Sequence, residues 1–421
     1  MNEPQKLIVN GGRHLEGELR VHGAKNSALP LLSAAVLAHG ETVLHNCPAL
    51  TDVDAACRIL THIGCKCRRS GDTVTVDATN VFGGEVPDSL MREMRSSIVF
   101  LGAMLGRTGR CRLSFPGGCE LGARPIDLHL SALRQMGADI TEQHGYLDCD
   151  VGKGLRGTKI VLSFPSVGAT ENILLAAVTA KGETEIHNAA REPEIVDLAD
   201  YLTKCGAKIR GAGESVITVD GVERLEPCEH SVIPDRIAAG TYLCAAAITS
   251  GELILTNCCP EHMNGFLQVL ETMGAKIYTY GGGKLYISVK KRYTAPPTIR
   301  TMPYPGFPTD IQAPFTALCA TAEGTSVFVE TIFENRFRHV PELVRLGALI
   351  KTEGRVCVVQ GVKQLSGAKV CAAELRGGAA LVTAALAAEG TSEIGGLQYI
   401  DRGYENLEGA LRSVGADIKR I

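Results

Sequence analysis

Apolar residues recur along this chain with the three- and four-residue spacing of an amphipathic helix. The pattern is clearest in three stretches: Val53, Ala56, Leu60 and Ile63; Ile195, Leu198 and Leu202; Tyr404, Leu407, Leu411 and Val414. Each stretch ends in a short phrase that consists of an apolar residue or cysteine, a glycine, and then alanine or cysteine. Glycine at that place fits a left-handed helix end, where a Cβ would clash. The pattern predicts helices closed by glycine, and Thr51 with Asp54 predicts a capping box on the first of them.

The glycine phrase recurs six times, at nearly even intervals of 68 to 73 residues. Its glycines are Gly64, Gly137, Gly206, Gly274, Gly347 and Gly415. The residues that follow alternate between apolar and polar, as at 138–141 and 275–278, and predict half-buried strands. A second strand, opened by a small-residue turn, precedes most of the helices, as at 182–186, 251–255 and 324–328. Six α/β units of this size are too long for a solenoid, so we expect two domains of three units each.

Two chain crossings would join such domains, near residues 21–23 and 233–236. If the N-terminal strand belongs with the C-terminal half, one domain comprises residues 1–21 plus 235–421. The other is then the inserted segment 22–234. We expect the two crossings to act as a double-crossover hinge, because a cleft between two similar domains often closes on a ligand.

Composition narrows the class of protein. The 421 residues are 45% apolar and 21% charged, which is typical of a globular protein with a large core. The net charge of −3 argues against nucleic acid or an acidic membrane surface as the main partner. No stretch has the pattern of a signal peptide or a membrane span, so we expect a cytoplasmic protein. The residues give no indication of the oligomeric state.

The 15 cysteines are scattered, and none forms a Cys-x-x-Cys pair. We therefore expect most of them to be small buried hydrophobes rather than disulfide partners, and we expect no metal. Gly281, Gly282, Gly283 and Lys284 are followed by Leu285 and lack the spacing of a phosphate-binding loop. No cofactor is expected.

One segment, residues 116–125, differs from the rest because three glycines and two prolines exclude a regular helix or central strand. It carries Cys119 and Arg124, and a cation near a thiol lowers the pKa of that thiol. These residues alone support two interpretations equally. One is a mobile lid over an anionic substrate, and the other is a glycine turn with a surface cysteine.

Seven segments together resemble, in order, the motifs of the UDP-N-acetylglucosamine 1-carboxyvinyltransferase family, a branch of the EPSP synthase superfamily. They are residues 23–30, 116–125, 166–170, 191–197, 307–310, 333–337 and 401–405. The resemblance implies two inside-out α/β domains, each of three repeated units. It also implies transfer of enolpyruvate from phosphoenolpyruvate to the 3′-hydroxyl of UDP-N-acetylglucosamine, with release of phosphate. This is the first committed step of peptidoglycan synthesis.

The resemblance also implies the site residues. Asp310 would be the base that accepts the sugar hydroxyl proton, and Cys119 the acid that protonates C3. Cys119 would also form an adduct with phosphoenolpyruvate and react with the epoxide fosfomycin. The phosphate would be held by Lys25, Arg124 and Arg402, and the carboxylate by Arg336 and Arg376. The nucleotide-sugar site would be lined by Asn26, Arg95, Arg124, Pro125, Ile126, Asp127, Leu128, Ser166, Val167, Gly168, Asp310 and Ile332. Lys25 and Arg402 complete the implied catalytic set.

Each of these residues also has a structural interpretation. A single arginine is more often a solvated surface charge, and Asp310 after Pro308 fits a helix N-cap or turn carboxylate. Two positions depart from the family pattern: Glu374 stands where Asp is common, and Phe164 where some relatives have Lys. The rival functions are a 3-phosphoshikimate 1-carboxyvinyltransferase, a catalytically silent paralogue that binds UDP-sugar, and an RNA-end-processing relative. Cys119 argues against the first, and the composition argues against the third.

Overall fold

The computed structural model describes residues 5–116, 126–289 and 292–421, and these form two compact units. We call residues 5–22 and 234–421 the terminal unit, and the described residues within 23–233 the inserted unit. The chain passes from one to the other after His22 and returns after Ile233. Among the described residues, no helix combines the length and the apolar character needed to span a membrane.

The elements follow in chain order. The terminal unit begins with two strands, β1 (Leu7–Asn10) and β2 (Glu16–Arg20). The helices of the inserted unit are α1 (Lys25–Ala34), α2 (Thr51–His62), α3 (Asp88–Met91), α4 (Phe100–Thr108), α5 (Asp127–Gln135), α6 (Val167–Ala177) and α7 (Pro193–Lys204). Its strands are β3 (Glu41–His45), β4 (Lys66–Ser70), β5 (Thr73–Asp77), β6 (Glu85–Val86), β7 (Arg110–Ser114), β8 (Asp139–Gln143), β9 (Tyr146–Asp150), β10 (Lys159–Val161), β11 (Glu183–His187), β12 (Lys208–Arg210), β13 (Val216–Asp220) and β14 (Glu229–Ser231).

The rest of the terminal unit continues in the same manner. Its helices are α8 (Arg236–Ile248), α9 (Asn264–Thr272), α10 (Thr309–Cys319), α11 (Val340–Arg345), α12 (Leu375–Ala387), α13 (Leu397–Ile400) and α14 (Leu407–Ser413). Its strands are β15 (Glu252–Thr256), β16 (Lys276–Tyr280), β17 (Lys284–Ser288), β18 (Thr298–Arg300), β19 (Thr325–Val329), β20 (Leu349–Glu353), β21 (Val356–Gln360), β22 (Lys369–Cys371), β23 (Thr391–Gly395) and β24 (Asp417–Arg420). Short 3₁₀ helices cover Ala35–Leu37, Arg95–Val99 and Pro260–Met263.

The described strands form six four-stranded sheets with one shared topology, three in each unit. In each sheet a short strand pairs in parallel with its neighbour, and the next two pairings are antiparallel, as in β10-β11-β13-β12 and β18-β19-β21-β20. Side chains alternate between buried and more exposed along the inner strands, since one sheet face packs on the core. The six predicted repeats are therefore confirmed.

Each unit has helices inside and sheets outside. Helices α8, α10 and α12 pack together in the terminal unit, and α4 packs against α1 and α6 in the inserted unit. These helices are buried over almost their whole length because alanine and leucine surround them on every side. A Cβ on Gly240 would lie 2.5 Å from the Ile311 side chain, and one on Gly102 would lie 2.2 Å from the Asn172 carbonyl oxygen. Glycine at these positions allows the inner helices to approach closely.

The sequence correctly predicted how the outer helices end. All six glycines of the repeated phrase have φ between 92° and 108°, a conformation that disfavours any other residue. The predicted strands after Gly137 and Gly274 are confirmed as β8 and β16. Both are edge strands and are mostly exposed, so the expected half-buried alternation is weak there.

The predicted capping box at α2 is wrong. Leu50 is extended, with φ −123° and ψ 148°, so Thr51 is the first helical residue and no side chain caps this end. Asp54 then falls one position beyond the third helical residue, where a capping box needs its acidic partner.

Two short strands are exchanged between repeats. Strand β2 directly precedes α1 in the chain but pairs with β15, and β14 directly precedes α8 but pairs with β3. The segments that follow run side by side: Asp235 N donates to His22 O at 2.9 Å, and Ala24 N donates to Ile233 O at 2.7 Å. The exchange makes the N-terminal strands part of the terminal unit. A hinge at these crossings stays a prediction.

Candidate active site

Several of the predicted site residues stand at the starts of the inner helices. Lys25 is the first residue of α1, Ser166 is the N-cap of α6, and Asp310 and Arg376 are the second residues of α10 and α12. The first N–H groups of a helix have no intrahelical partner and carry a partial positive charge. The repeat therefore places anion-attracting helix ends and charged side chains together in each unit.

In the terminal unit, Asp310 lies between two arginines. Arg336 Nη2 donates to Oδ1 at 2.9 Å, and Arg376 Nη2 donates to Oδ2 at 3.1 Å. The arginine side chains are only 1% and 3% exposed, whereas that of Asp310 is 27% exposed. Because a buried cation is costly without an anionic partner, the carboxylate stabilises both arginines and keeps one side open to solvent.

Arg376 is fixed further by an aromatic ring. Its guanidinium lies 5.5 Å from the centre of the Tyr404 ring, and the Tyr404 hydroxyl contacts Thr241 Oγ1 of α8 at 2.9 Å. Burial acts to lower the pKa of Arg376, but Asp310, Tyr404 and Asp235 together outweigh it, so the pKa stands above its ordinary value. The side chain is a permanent cation in a fixed place.

Arg402 lies in the turn that follows α13, close to the start of α12. A Cβ on Gly403 would lie 2.7 Å from the side chain of Leu375, the residue before Arg376, so the turn packs closely on this helix end. Arg420 anchors the same turn with bonds of 2.9 and 2.7 Å to the Asp401 carboxylate. The structure thus brings Arg402 to the same helix end as Arg376.

Two glutamates in this unit position site residues. Glu330 accepts the N–H groups of Ile332 and Phe333 at 2.7 and 3.0 Å through Oε1, and the Thr309 hydroxyl at 3.0 Å through Oε2. It therefore joins the predicted nucleotide contact Ile332 to the start of α10. Glu330 was not predicted, and only its position just after a strand hinted at it.

Glu374 is the N-cap of α12 and accepts the backbone N–H of Arg376 at 2.8 Å. Its carboxylate also lies 4.0 Å from Arg336 Nη1. The longer side chain that departs from the family pattern therefore orients both arginines around Asp310.

In the inserted unit, Lys25 is held by a buried aspartate. Lys25 Nζ lies 2.7 Å from Asp52 Oδ2, and the two side chains are only 10% and 3% exposed. Asp52 was not predicted. The sequence did carry a signal, since Asp52 stands four residues before Ala56 and seven before Ile59, on the apolar face of α2.

The other predicted residues of this unit gather around α6. Ser166 Oγ accepts the N–H of Ala169 at 3.3 Å, which caps the helix and leaves the N–H groups of Val167 and Gly168 in its first turn. A Cβ on Gly168 would lie 3.0 Å from the His129 ring, so this turn touches the segment that contains Ile126, Asp127 and Leu128.

His129 and Asn172 hold this arrangement together. Asn172 donates to Ile98 O at 2.9 Å and accepts the Gly102 N–H at 2.6 Å, which fixes the orientation of its amide. The amide nitrogen therefore donates to His129 Nδ1 at 2.7 Å. Burial lowers the pKa of His129 to about 4, with help from the charge of Arg95, so the ring is neutral. Neither His129 nor Asn172 was predicted.

Arg95 opens the 3₁₀ helix before α4, and the half-buried Asn26 is the second residue of α1. Cys119, Arg124 and Pro125 lie outside the described residues. Within the described ranges, no group of three or more His, Cys, Asp or Glu side chains is placed to hold a metal ion.

Known proteins share this architecture. Residues 9–411 match the family described as EPSP synthase (3-phosphoshikimate 1-carboxyvinyltransferase). The enolpyruvyl transferase NikO from Streptomyces tendae has a similar structure, with a TM-score of 0.89 and 26% identity over 99% of both chains. EPSP synthase from Acinetobacter baumannii shares the fold at 19% identity, with a TM-score of 0.74 over 99% of this chain and 100% of that one. The chain therefore belongs to the EPSP synthase family and has its two-domain inside-out fold.

Sequence relatives narrow the position within the family. UDP-N-acetylglucosamine 1-carboxyvinyltransferase 2 of Caldanaerobacter subterraneus is 53% identical over 99% of both chains. The UDP-N-acetylglucosamine 1-carboxyvinyltransferase of Synechocystis is 47% identical over 100% of this chain and 96% of its own. The chain is thus a member of the UDP-N-acetylglucosamine 1-carboxyvinyltransferase branch.

Proposed function

We propose that this protein transfers the enolpyruvyl group of phosphoenolpyruvate to the 3′-hydroxyl of UDP-N-acetylglucosamine and releases phosphate. The observation that carries the proposal is the half-exposed carboxylate of Asp310 between the buried Arg336 and Arg376. It stands in a chain that is about half identical to enzymes named for this reaction. We expect the reaction to supply peptidoglycan synthesis in the cytoplasm.

The two arginines fit the carboxylate of phosphoenolpyruvate. Each of them donates to one oxygen of Asp310. An incoming carboxylate offers the same pair of acceptors, and such a charge-assisted bond is worth about 1.5–3 kcal/mol. We expect the substrate to take over part of this pairing, which leaves an oxygen of Asp310 available to a hydroxyl.

That exchange gives Asp310 its role as the base. The 3′-hydroxyl oxygen forms a bond to C2 while its proton passes to Asp310, and C3 receives a proton from Cys119. The C2–O bond to phosphate then breaks and C3 loses a proton, which restores the enol. Lys25 and Arg402, with Arg124, would hold the phosphate as it leaves.

The inserted unit supplies the nucleotide-sugar contacts in this proposal. The first turn of α6 at Val167 and Gly168 presents backbone N–H groups to a diphosphate, and Ser166 shapes that turn. Arg95 adds a positive charge beside it, since it acts on the neighbouring His129 ring. Asn26, Arg124, Pro125, Ile126, Asp127 and Leu128 would add to these contacts, and the predicted set also includes Ile332 and Asp310 of the terminal unit.

The decisive experiment is phosphate release by the purified enzyme from phosphoenolpyruvate, with UDP-N-acetylglucosamine or with shikimate 3-phosphate. We expect phosphate release when UDP-N-acetylglucosamine is the acceptor and none when shikimate 3-phosphate is the acceptor. Release only with shikimate 3-phosphate would favour the rival transferase, and binding of the nucleotide sugar without release would favour a silent paralogue. Mass mapping after fosfomycin treatment should find the label on Cys119, and a label on other cysteines would remove Cys119 from the mechanism.

A further inference from the structure

Cys205 and Cys228 face each other in the inserted unit, and neither is among the residues proposed for catalysis. Their sulfur atoms lie 3.3 Å apart. Cys205 is buried directly after the end of α7, and Cys228 is half-buried directly before β14. The described cysteines are free thiols and most are buried, as the sequence predicted. In this pair one member reaches solvent and the other stands in contact behind it.

The repeats show that the fold does not need thiols here. The carbonyl of Cys205 accepts the N–H of Glu226, and the equivalent acceptors in three other repeats are Met136, Met273 and Leu346. The carbonyl of Cys228 accepts the N–H of Val43 in the neighbouring strand, and the equivalent acceptors are Thr158, Pro297 and Ala368. Three repeats therefore build the same backbone contact without a thiol at either position. Packing alone does not explain two facing cysteines in one repeat.

Cationic and polar groups surround the outer thiol. Lys204 Nζ lies 3.1 Å from His230 Nδ1, and His230 stands two residues after Cys228, on the same face of the strand. The hydrogen bond from Cys205 lowers the pKa of Cys228 to about 7, with smaller contributions from His230 and Lys204 against the effect of burial. The pKa of Cys205 is raised well above its ordinary value by the same bond and by burial. The pair thus combines an attacking thiol with a buried second thiol.

We propose that Cys205 and Cys228 form a reversible oxidation site that reacts with low-molecular-weight disulfides. The Cys228 thiolate attacks one sulfur of the small disulfide, forms a mixed disulfide and releases one small thiol. Cys205 then loses its proton and attacks Cys228 Sγ, which forms the internal disulfide and releases the second small thiol. Two protein thiols are oxidised and one small disulfide is reduced to two thiols, so the step balances.

The disulfide would tie the end of α7 to the strand that leads to the chain crossing. His230 Nε2 contacts Asp197 Oδ1 of α7 at 2.8 Å, and the Ser27 hydroxyl of α1 donates to Asp197 Oδ2. Closing the sulfur contact from 3.3 Å to the 2.05 Å of a disulfide draws β14 towards α7 at this network. Ser27 is two residues from Lys25, so the modification acts close to a proposed substrate contact without using it.

The test uses the full-length protein and 2-hydroxyethyl disulfide, a neutral probe that the cationic site does not attract. After exposure, free thiols are blocked with N-ethylmaleimide and peptides are mapped by mass spectrometry without reductant. A linked peptide pair that joins Cys205 to Cys228 is expected, and dithiothreitol should abolish it. The rate of disulfide formation should rise between pH 6 and 8, because the Cys228 thiol ionises in this range. The groups that face this thiol are Lys204, His230, Tyr201 and Cys205.

Two variants and one internal control separate the role of Cys228 as the attacking thiol from that of Cys205 as the second thiol. In Cys205→Ser the mixed disulfide should accumulate on Cys228, and in Cys228→Ser residue 205 should stay unmodified because it is buried. Cys111 and Cys149 stand opposite each other on β7 and β9 but are both buried, so this pair should stay reduced. If Cys205 and Cys228 are recovered only as thiols blocked by N-ethylmaleimide after exposure to the small disulfide, the proposal is overturned. Oxidation of Cys111 and Cys149 at the same rate would also overturn it.

Discussion

The two units handle charge at their inner helix ends in opposite ways. In the terminal unit a partly exposed carboxylate, Asp310, is held between two buried cations. In the inserted unit the buried cation of Lys25 is held by Asp52, a carboxylate that is more buried still. A partner in solvent can be exchanged for a substrate group, whereas a buried partner is part of the fold. The same repeat therefore supports a replaceable ion pair in one unit and a permanent one in the other.

The largest effect should come from the replaceable pair. Asp310→Asn removes the proposed base, so turnover should fall by a factor on the order of 10²–10⁴ while UDP-N-acetylglucosamine affinity is kept. Steady-state kinetics and calorimetric binding measure the two quantities. Asp417→Asn is the matched control, because Asp417 pairs with Arg13 at 3.0 Å on the surface of the same unit. Near-normal turnover in Asp310→Asn would exclude Asp310 as the base.

The permanent pair should affect stability instead. Asp52→Asn removes a negative charge from beside the buried Lys25 ammonium, and the loss of one member of a buried ion pair costs about 3–5 kcal/mol. Urea unfolding should show this against Asp54→Asn, which changes an exposed aspartate in the same first turn of α2. Equal unfolding free energies for the two variants would mean that Asp52 is as replaceable as Asp310.

In the inserted unit, the buried ring of His129 is neutral, whereas the buried Arg336 and Arg376 of the terminal unit are charged. The pKa of His129 is lowered from 6.5 to about 4 by burial and by Arg95. Between these pH values the unfolded chain binds a proton that the folded protein does not. His129 therefore costs no stability above about pH 6.5, and the free energy of unfolding falls as the pH drops towards 4, by up to about 1.4 kcal/mol per pH unit.

His129→Gln should remove this dependence. Denaturation from pH 7 to 4.5 should show a smaller loss of stability in the variant than in the unmodified protein, by up to about 3 kcal/mol. His45→Gln, at an exposed position in the same unit, serves as the control substitution. Identical slopes in His129→Gln and the unmodified protein would show that His129 is protonated in the folded state.

The smallest effect tests geometry rather than charge. Arg376→Lys keeps the positive charge but loses the planar fork, so the KM for phosphoenolpyruvate should rise about ten- to hundredfold. Turnover at saturation should change less. Arg345→Lys, whose side chain is 60% exposed in the same unit, should leave the KM unchanged. An unchanged KM in Arg376→Lys would mean that the fork does not hold the substrate carboxylate.

Local signals in the sequence were sufficient for the repeat. Gly64 and its five equivalents could be predicted because a left-handed helix end depends only on neighbouring residues. The capping box at Thr51 was predicted wrongly, because the extended backbone of Leu50 depends on the packing of the preceding loop. The two crossings near residues 21–23 and 233–236 were predicted, but the pairing of β2 with β15 and of β14 with β3 was not, because the partners are far away in the chain.

The candidate site also contains residues that could be predicted from the sequence and residues that could not. The charged residues could be named from motifs, yet their partners could not. Asp52 approaches Lys25 and Glu330 approaches Ile332 only through folding, and Asn172 reaches His129 from another helix. A buried polar residue is satisfied by whatever the tertiary structure brings to it. Sequence patterns of helices and strands do not contain that information.

The position of β1 has a consequence for synthesis of the chain. This strand lies between β23 and β24, the last strands to be made, so its sheet cannot close until the C-terminal segment has emerged. At about 5–20 residues per second the ribosome needs on the order of tens of seconds to produce the chain in between. The inserted unit can fold during that time, because all its strands come from one continuous segment. Throughout this interval both edges of β1 lack their partners and are open to pairing with other chains.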